Sequence, residues 1–66
     1  MEKRYAVLSK LRGMRWGILK IGTYGECHRY LEHRVSNEVR QGHQLLSPIA
    51  GGYVMDHCIY VIKEKN

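Results

Sequence analysis

The sequence predicts a small α+β domain in which an antiparallel sheet carries one helix packed on one face. Three observations predict it: two strand-like stretches around a turn near the N-terminus, a capped amphipathic segment after them, and a strand-like stretch near the C-terminus. A chain of 66 residues has room for a single domain, residues 1–66, with a thin core. The expected element order is β-β-α-β or β-β-α-β-β.

The first two strands are predicted as a hairpin. Residues 4–9 and 14–21 are rich in β-branched, aromatic and aliphatic side chains. Between them, Lys10-Leu11-Arg12-Gly13 has the composition of a hairpin connection, and Gly13 can adopt the positive φ that such turns need. Gly22 ends the second strand.

The helix is the clearest prediction. Thr23-Tyr24-Gly25-Glu26 matches a capping box, in which the threonine hydroxyl and the glutamate carboxylate satisfy each other's backbone N–H groups. Cys27, Leu31 and Val35 then recur at a four-residue spacing, which places them on one helical stripe. We therefore expect an amphipathic helix over residues 24–41 that stops at Gly42.

The C-terminal third allows two interpretations. Residues 44–50 and 53–63 are compatible with a hairpin that turns at Gly51-Gly52, with Pro48 confining the first arm to a sheet edge. Alternatively, residues 43–52 form a loop and only the second stretch is a strand. In both cases Cys58–Ile62 forms a strand centre.

Strand alternation also predicts which residues lie under the helix, because successive side chains point to opposite faces. Gly17 would let the helix approach closely, so its face is assigned to the helix side with Ala6, Leu8, Leu19 and Ile21. The opposite face would then carry Tyr5, Val7, Met14, Trp16 and Ile18. That face is too apolar to remain in water without a covering partner. A slip of one residue would exchange the two faces.

Positive charge is concentrated at the start of the chain. The formal net charge is +5 at pH 7, and residues 1–20 hold six basic residues against one acidic residue, whereas residues 21–66 hold five of each. Clustered positive charge attracts polyanions, while mixed charge mainly provides solubility. The concentration of positive charge in residues 1–20 therefore favours a nucleic acid or an acidic protein as partner.

The sequence gives little support to metal binding or catalysis. Cys27-His28 and His57-Cys58 form a mirrored pair, but adjacent residues diverge in direction on a helix or strand, and no usual zinc-ligand spacing is present. A metal-free ribonuclease using His33, His43 and Arg40 would need a geometry that nothing in the sequence fixes. We therefore expect no enzyme, no cofactor and no metal. The two cysteines are expected to be reduced and buried.

The strongest functional signal is the first hairpin. Cationic groups around its turn can contact phosphates, and aromatic rings can stack on bases. A basic hairpin with an exposed tryptophan suits RNA or single-stranded DNA. The predicted binding residues, for nucleic acid or for an acidic or nucleoprotein partner, are Arg4, Tyr5, Lys10, Arg12, Arg15, Trp16 and Lys20.

The alternative is a protein-interaction module or inhibitor that docks its apolar sheet face on a host protein complex. Some small proteins of phages and mobile elements, anti-CRISPR proteins among them, are similar in size and architecture, although no family motif carries the likeness. A thin core with an apolar second face also favours a homodimer. Without an apolar run long enough for a signal peptide or a membrane span, the expected location is the cytoplasm, with no membrane partner.

Overall fold

The computed structural model describes residues 3–65, so Met1 and Glu2, which enter the charge count and the signal-peptide argument, lie outside the described residues. It shows a five-stranded antiparallel sheet with one helix on one face, which confirms the predicted α+β class. The elements run β-β-α-β-β-β. They are β1 (Arg4–Leu11), β2 (Trp16–Gly22), α1 (Tyr24–Arg40), β3 (Leu45–Ile49), β4 (Gly52–Met55) and β5 (Cys58–Lys65).

The sheet has the strand order β2-β1-β5-β4-β3, so β1 and β5 form its centre and β2 and β3 its edges. The first hairpin forms as predicted, with Lys10 opposite Trp16 and Gly13 at φ 78° in the turn. Pro48 lies on the edge strand β3, as the hairpin interpretation requires. The predicted strand over residues 53–63 is in fact two strands, because Asp56-His57 makes a second turn.

The helix begins with the predicted capping box. Thr23 Oγ1 accepts from the Glu26 N–H at 3.1 Å, and Glu26 Oε1 accepts from the Thr23 N–H at 2.9 Å. The helix ends at Arg40, and Gly42 follows at φ 100°. With 17 residues, α1 is too short and too polar to cross a membrane, and no other helix occurs within residues 3–65.

The core lies between α1 and the central strands. The predicted stripe of Cys27, Leu31 and Val35 is buried, and so is Cys58, which confirms that both cysteines are interior residues. From the sheet, the cluster is completed by side chains of β1, β4 and β5, namely Val7, Met55 and Tyr60.

The predicted assignment of the sheet faces is wrong for β1. Val7 is fully buried in the core and Tyr5 packs against it, so these two residues face the helix, whereas Ala6 and Leu8 face away. In β2 the assignment of Gly17 and Leu19 to the helix side is right and that of Ile21 is wrong, and the close approach of the helix expected at Gly17 is absent, because a Cβ atom there would meet nothing within 4 Å. A β-bulge inserts Leu19 between two pairs of the ladder, and this extra residue changes the phase of the alternation.

Candidate functional site

The side of the sheet opposite the helix, called here the open face, gathers cationic side chains from two strands, β1 and β5. Residues that oppose each other across antiparallel strands point to the same side. Arg4 opposes Lys65, Ala6 opposes Lys63, and Lys10 opposes Trp16. The open face therefore brings Arg4, Lys10, Lys63 and Lys65 together with Trp16. Lys63 and Lys65, the two cations from β5, were not among the binding residues predicted from the sequence.

Acidic residues lie elsewhere on the molecule. Within the strands of residues 3–65, Glu64 is the one carboxylate, and it opposes Tyr5, which points to the helix side. Glu26, Glu32 and Glu38 belong to α1. Asp56 lies in the turn before β5, where it also lines a groove together with Lys10 and Arg12. The strands of the described chain thus place cations, and no carboxylates, on the open face.

Apolar side chains of the edge strand β2 are exposed on the open face. Trp16, Ile18 and Ile21 keep 46%, 58% and 37% of their surface exposed. Leu8 lies between Ile18 and Val61 across the sheet. Beside this strip a groove of about 380 Å³ extends from the hairpin turn toward the far strands. Its lining combines apolar side chains with Lys10, Arg12, Asp56 and His57, the apolar ones including Leu11, Leu46, Val54 and Ile59.

The seven predicted binding residues divide into three groups. Arg4, Lys10 and Trp16 lie on the open face, and Arg12 and Arg15 are exposed in the hairpin turn next to it. Tyr5 and Lys20 lie on the other side of the sheet. The Tyr5 ring packs edge-on against Tyr24, with centroids 5.2 Å apart. Lys20 opposes the buried Val7.

A second polar site, called here the histidine cluster, forms where the end of α1 meets the turn before β5. It consists of Glu38, His43, Asp56, His57 and Cys58. Asp56 Oδ1 lies 2.9 Å from Nδ1 of His57 and 3.1 Å from Nδ1 of His43. The two imidazoles are stacked, with centroids 4.0 Å apart.

The other ring nitrogen of His57 faces the core side of the cluster. His57 Nε2 lies 3.4 Å from Glu38 Oε1 and 3.5 Å from Cys58 Sγ. The Tyr60 hydroxyl donates to Glu38 Oε1 at 2.8 Å and accepts from Arg34 Nε at 3.0 Å. Each ring nitrogen of His57 therefore has a carboxylate beside it.

The titration behaviour of the cluster follows from these contacts. The Gln44 backbone N–H, His57 and His43 stabilise the Asp56 carboxylate and lower its pKa to about 2. Burial raises the pKa of the Cys58 thiol. Asp56 contacts His57 and His57 contacts Cys58, which is the arrangement of an orienting acid, a base and a nucleophile. A nucleophilic cysteine, however, needs a lowered pKa and access to substrate. The buried Cys58 has neither.

Sequence reasoning missed this cluster because its members come from the helix end, a loop and a strand start. One signal was available for the open face: Ile59, Val61, Lys63 and Lys65 alternate along β5, which places apolar and cationic residues on one side. No comparable signal links Glu38 with His57.

Comparison with protein-family models, curated proteins and solved structures found no match for this chain.

Proposed function

We propose that the protein is a non-enzymatic binding module whose open face and hairpin turn bind single-stranded nucleic acid. The observation that carries the proposal is the separation of charge: cations from β1 and β5 share one side of the sheet with Trp16, while carboxylates lie on the helix, in the turn before β5 or on the other side. A surface with one sign of charge attracts a polyanion and releases its counterions.

The spacing of the cations suits an extended strand. Arg4 and Lys10 point to the same side of β1 and are six residues apart, which is about 20 Å at the rise of a β-strand. Lys63 and Lys65 run alongside in β5. Arg12 and Arg15 extend the cationic track into the hairpin turn, which gives a short oligonucleotide successive phosphate contacts.

Trp16 provides the base contact in this proposal. Its ring is about half exposed and sits opposite Lys10, at the end of the open face next to the hairpin turn. Stacking of a base on an exposed aromatic ring contributes roughly 1–3 kcal/mol, whatever the base. In the neighbouring groove, the apolar side chains of Val54 and Ile59 offer a contact for a second base.

The test is a fluorescence titration of Trp16, the single tryptophan of the chain, with single-stranded and duplex oligonucleotides at several salt concentrations. We expect quenching that weakens steeply with salt. The double variant Arg12→Glu/Arg15→Glu should bind more weakly, and its plot of log affinity against log salt should flatten by about 0.7 for each phosphate that the variant no longer neutralises.

The matched control is Arg29→Glu/Arg40→Glu, which makes the same change of net charge on α1. It should retain most of the affinity. Equal losses in the two double variants would contradict the proposal, because the binding would then depend on net charge and not on the hairpin.

A second candidate follows from the aliphatic side chains of the open face. Leu8, Ile18 and Val61 cannot stack with bases as an aromatic ring does, and apolar centres with polar rims are typical of protein interfaces. In this case the cations steer the face toward an acidic or nucleoprotein partner, as in an inhibitor of a host complex. A flat oligonucleotide titration combined with loss of partner capture in Ile18→Asp would favour it.

We also propose that the same face supports a homodimer and that the protein works in the cytoplasm. The exposure of Ile18 and Ile21 supports the dimer, since pairing would remove apolar surface from water. The burial of both thiols fits a reducing compartment.

A further inference from the structure

The geometry of the histidine cluster points to a zinc site, and we propose that His57 Nε2, Cys58 Sγ and Glu38 Oε1 bind one Zn²⁺ ion. This inference does not rest on the nucleic-acid proposal, because neither Trp16 nor any of the cations is a ligand, although His57 and Cys58 also line the groove beside the open face.

The first argument is the distance between the donor atoms. Zn²⁺ binds nitrogen and oxygen at about 2.0–2.1 Å and sulfur at about 2.3 Å in a tetrahedron. Those bond lengths place two N/O donors about 3.4 Å apart, and a nitrogen and a sulfur about 3.6 Å apart. In the structure, Nε2 of His57 lies 3.4 Å from Oε1 of Glu38 and 3.5 Å from Sγ of Cys58. All three donors lie within 4.8 Å of one another.

The second argument is the contact between Asp56 and His57. Asp56 Oδ1 lies 2.9 Å from His57 Nδ1, and because a carboxylate oxygen can only accept, the Nδ1–H group donates to it. In the neutral ring this leaves the lone pair on Nε2, directed toward Glu38 and Cys58. A carboxylate behind a histidine in this way is the usual arrangement around protein-bound zinc.

The remaining ligand is also held in place. Tyr60 donates to the Glu38 carboxylate, and the Arg34 guanidinium lies 3.7 Å from its Oε2 atom. The Glu38 side chain is only 12% exposed, while His57 at 31% gives the ion access from solvent. Three protein ligands leave the fourth position of a tetrahedron for water.

The neighbouring trio of His43, Asp56 and His57 is a poorer site, although its donor atoms also lie close together. The two rings are stacked at an interplanar angle of 27°, and both Nδ1 atoms already face the same oxygen of Asp56. Their distances to Asp56 Oδ1, 2.9 and 3.1 Å, are those of hydrogen bonds. The proposal therefore assigns His43 and Asp56 to positioning His57.

The test uses the full chain, reduced and stripped of metal with a chelator, and titrated with ZnCl₂ by calorimetry and with CoCl₂ by absorption. We expect one ion per chain, a sulfur-to-cobalt charge-transfer band, and release of protons, since the thiol must lose its proton to bind. Absence of that band, or binding of cobalt with no contribution from Cys58, would overturn the proposal.

Variants separate the ligands from their surroundings. His57→Gln and Cys58→Ser should each abolish the band, and His57→Gln covers the case in which a change at the buried cysteine prevents folding. Asp56→Asn should keep the band but weaken zinc affinity about 10–100-fold, as expected for a residue that orients a ligand. His33→Gln, on the exposed surface of α1, is the matched control and should bind zinc like the parent. If it loses zinc as His57→Gln does, the site lies elsewhere.

Discussion

At Gly52 the backbone of β4 passes directly against β5. A Cβ atom added there would overlap the Tyr60 carbonyl oxygen and lie 2.9 Å from the Cα atom of Val61, and neither backbone atom can move without separating the strands. We expect Gly52→Ala to destabilise the protein by about 1–3 kcal/mol or more, because overpacking displaces the ladder. Chemical denaturation gives the difference. Gly17→Ala is the control: its Cβ meets nothing within 4 Å, so it should be neutral or stabilising.

At Tyr60, the hydroxyl group of a buried side chain joins two charged residues. Its ring is 2% exposed, and its hydroxyl links Arg34 to Glu38. Burial and the Glu38 contact raise its pKa, so the hydroxyl remains a donor throughout the neutral range.

Tyr60→Phe removes this hydroxyl and leaves Glu38 without its donor. Hydrogen bonds to charged groups contribute about 1.5–3 kcal/mol, so we expect a loss of that size in urea unfolding. Tyr53→Phe is the control, since the Tyr53 hydroxyl donates to Glu32 at the surface, where water can replace it. Equal losses in the two variants would contradict the importance of burial.

At the scale of elements, the capping box determines where α1 begins. Thr23→Ala removes one of its two hydrogen bonds and should cost about 1 kcal/mol, as typical for an N-cap threonine. The backbone and side chain of Thr23 lower the pKa of Glu26 below its ordinary value of 4.5.

A lowered pKa in the folded state gives the sign of the pH effect. The folded protein holds the Glu26 carboxylate in its ionised form more strongly than the unfolded chain does, so the stabilisation is present above pH 4.5 and disappears as the pH falls through the lower, folded value. We expect Glu26→Gln to flatten this part of the dependence of melting temperature on pH. The same acid sensitivity in the variant and the parent would show that other carboxylates cause it.

Sequence patterns predict an element when all of its signals lie within a few residues of one another. The capping box, the Cys27–Leu31–Val35 stripe and the Gly13 turn each lie within a few residues, so sequence reasoning located the helix and the first hairpin. Face assignment failed at Val7 because alternation gives the period of a strand but not its phase. The bulge at Leu19 left no sign in the sequence, since it depends on the β1 partner.

The same limit applies to the candidate sites: sequence patterns group residues that are close in the chain, but not residues that only the fold brings together. Lys10, Arg12 and Trp16 are close in sequence and were predicted together, whereas Lys63 and Lys65 join them only through the β1–β5 pairing. Glu38, His43 and His57 come together because the β3–β4 hairpin brings the chain back to the end of α1. Spacing rules for metal ligands cannot detect such an arrangement.

At the scale of the whole molecule, the charge separation has opposite consequences for the two partners proposed for the open face. A nucleic acid is drawn to the cations of β1 and β5, and added salt weakens that attraction. A second copy of the chain brings like charges together, because the paired open faces would oppose Arg4, Lys10, Lys63 and Lys65 of one copy to those of the other. Salt screens this repulsion and leaves the apolar contact to hold the two copies together.

We therefore expect self-association to increase with salt while oligonucleotide binding decreases. Sedimentation at low and high NaCl measures the first and Trp16 fluorescence the second, on the same protein. Ile18→Asp should keep the chain monomeric at high salt, because it places a charge among the apolar side chains of the open face. The matched change Val39→Asp, on the exposed side of α1, should leave association unchanged. A mass that stays constant across the salt range, or a dimer that Ile18→Asp does not affect, would show that the open face does not pair with itself.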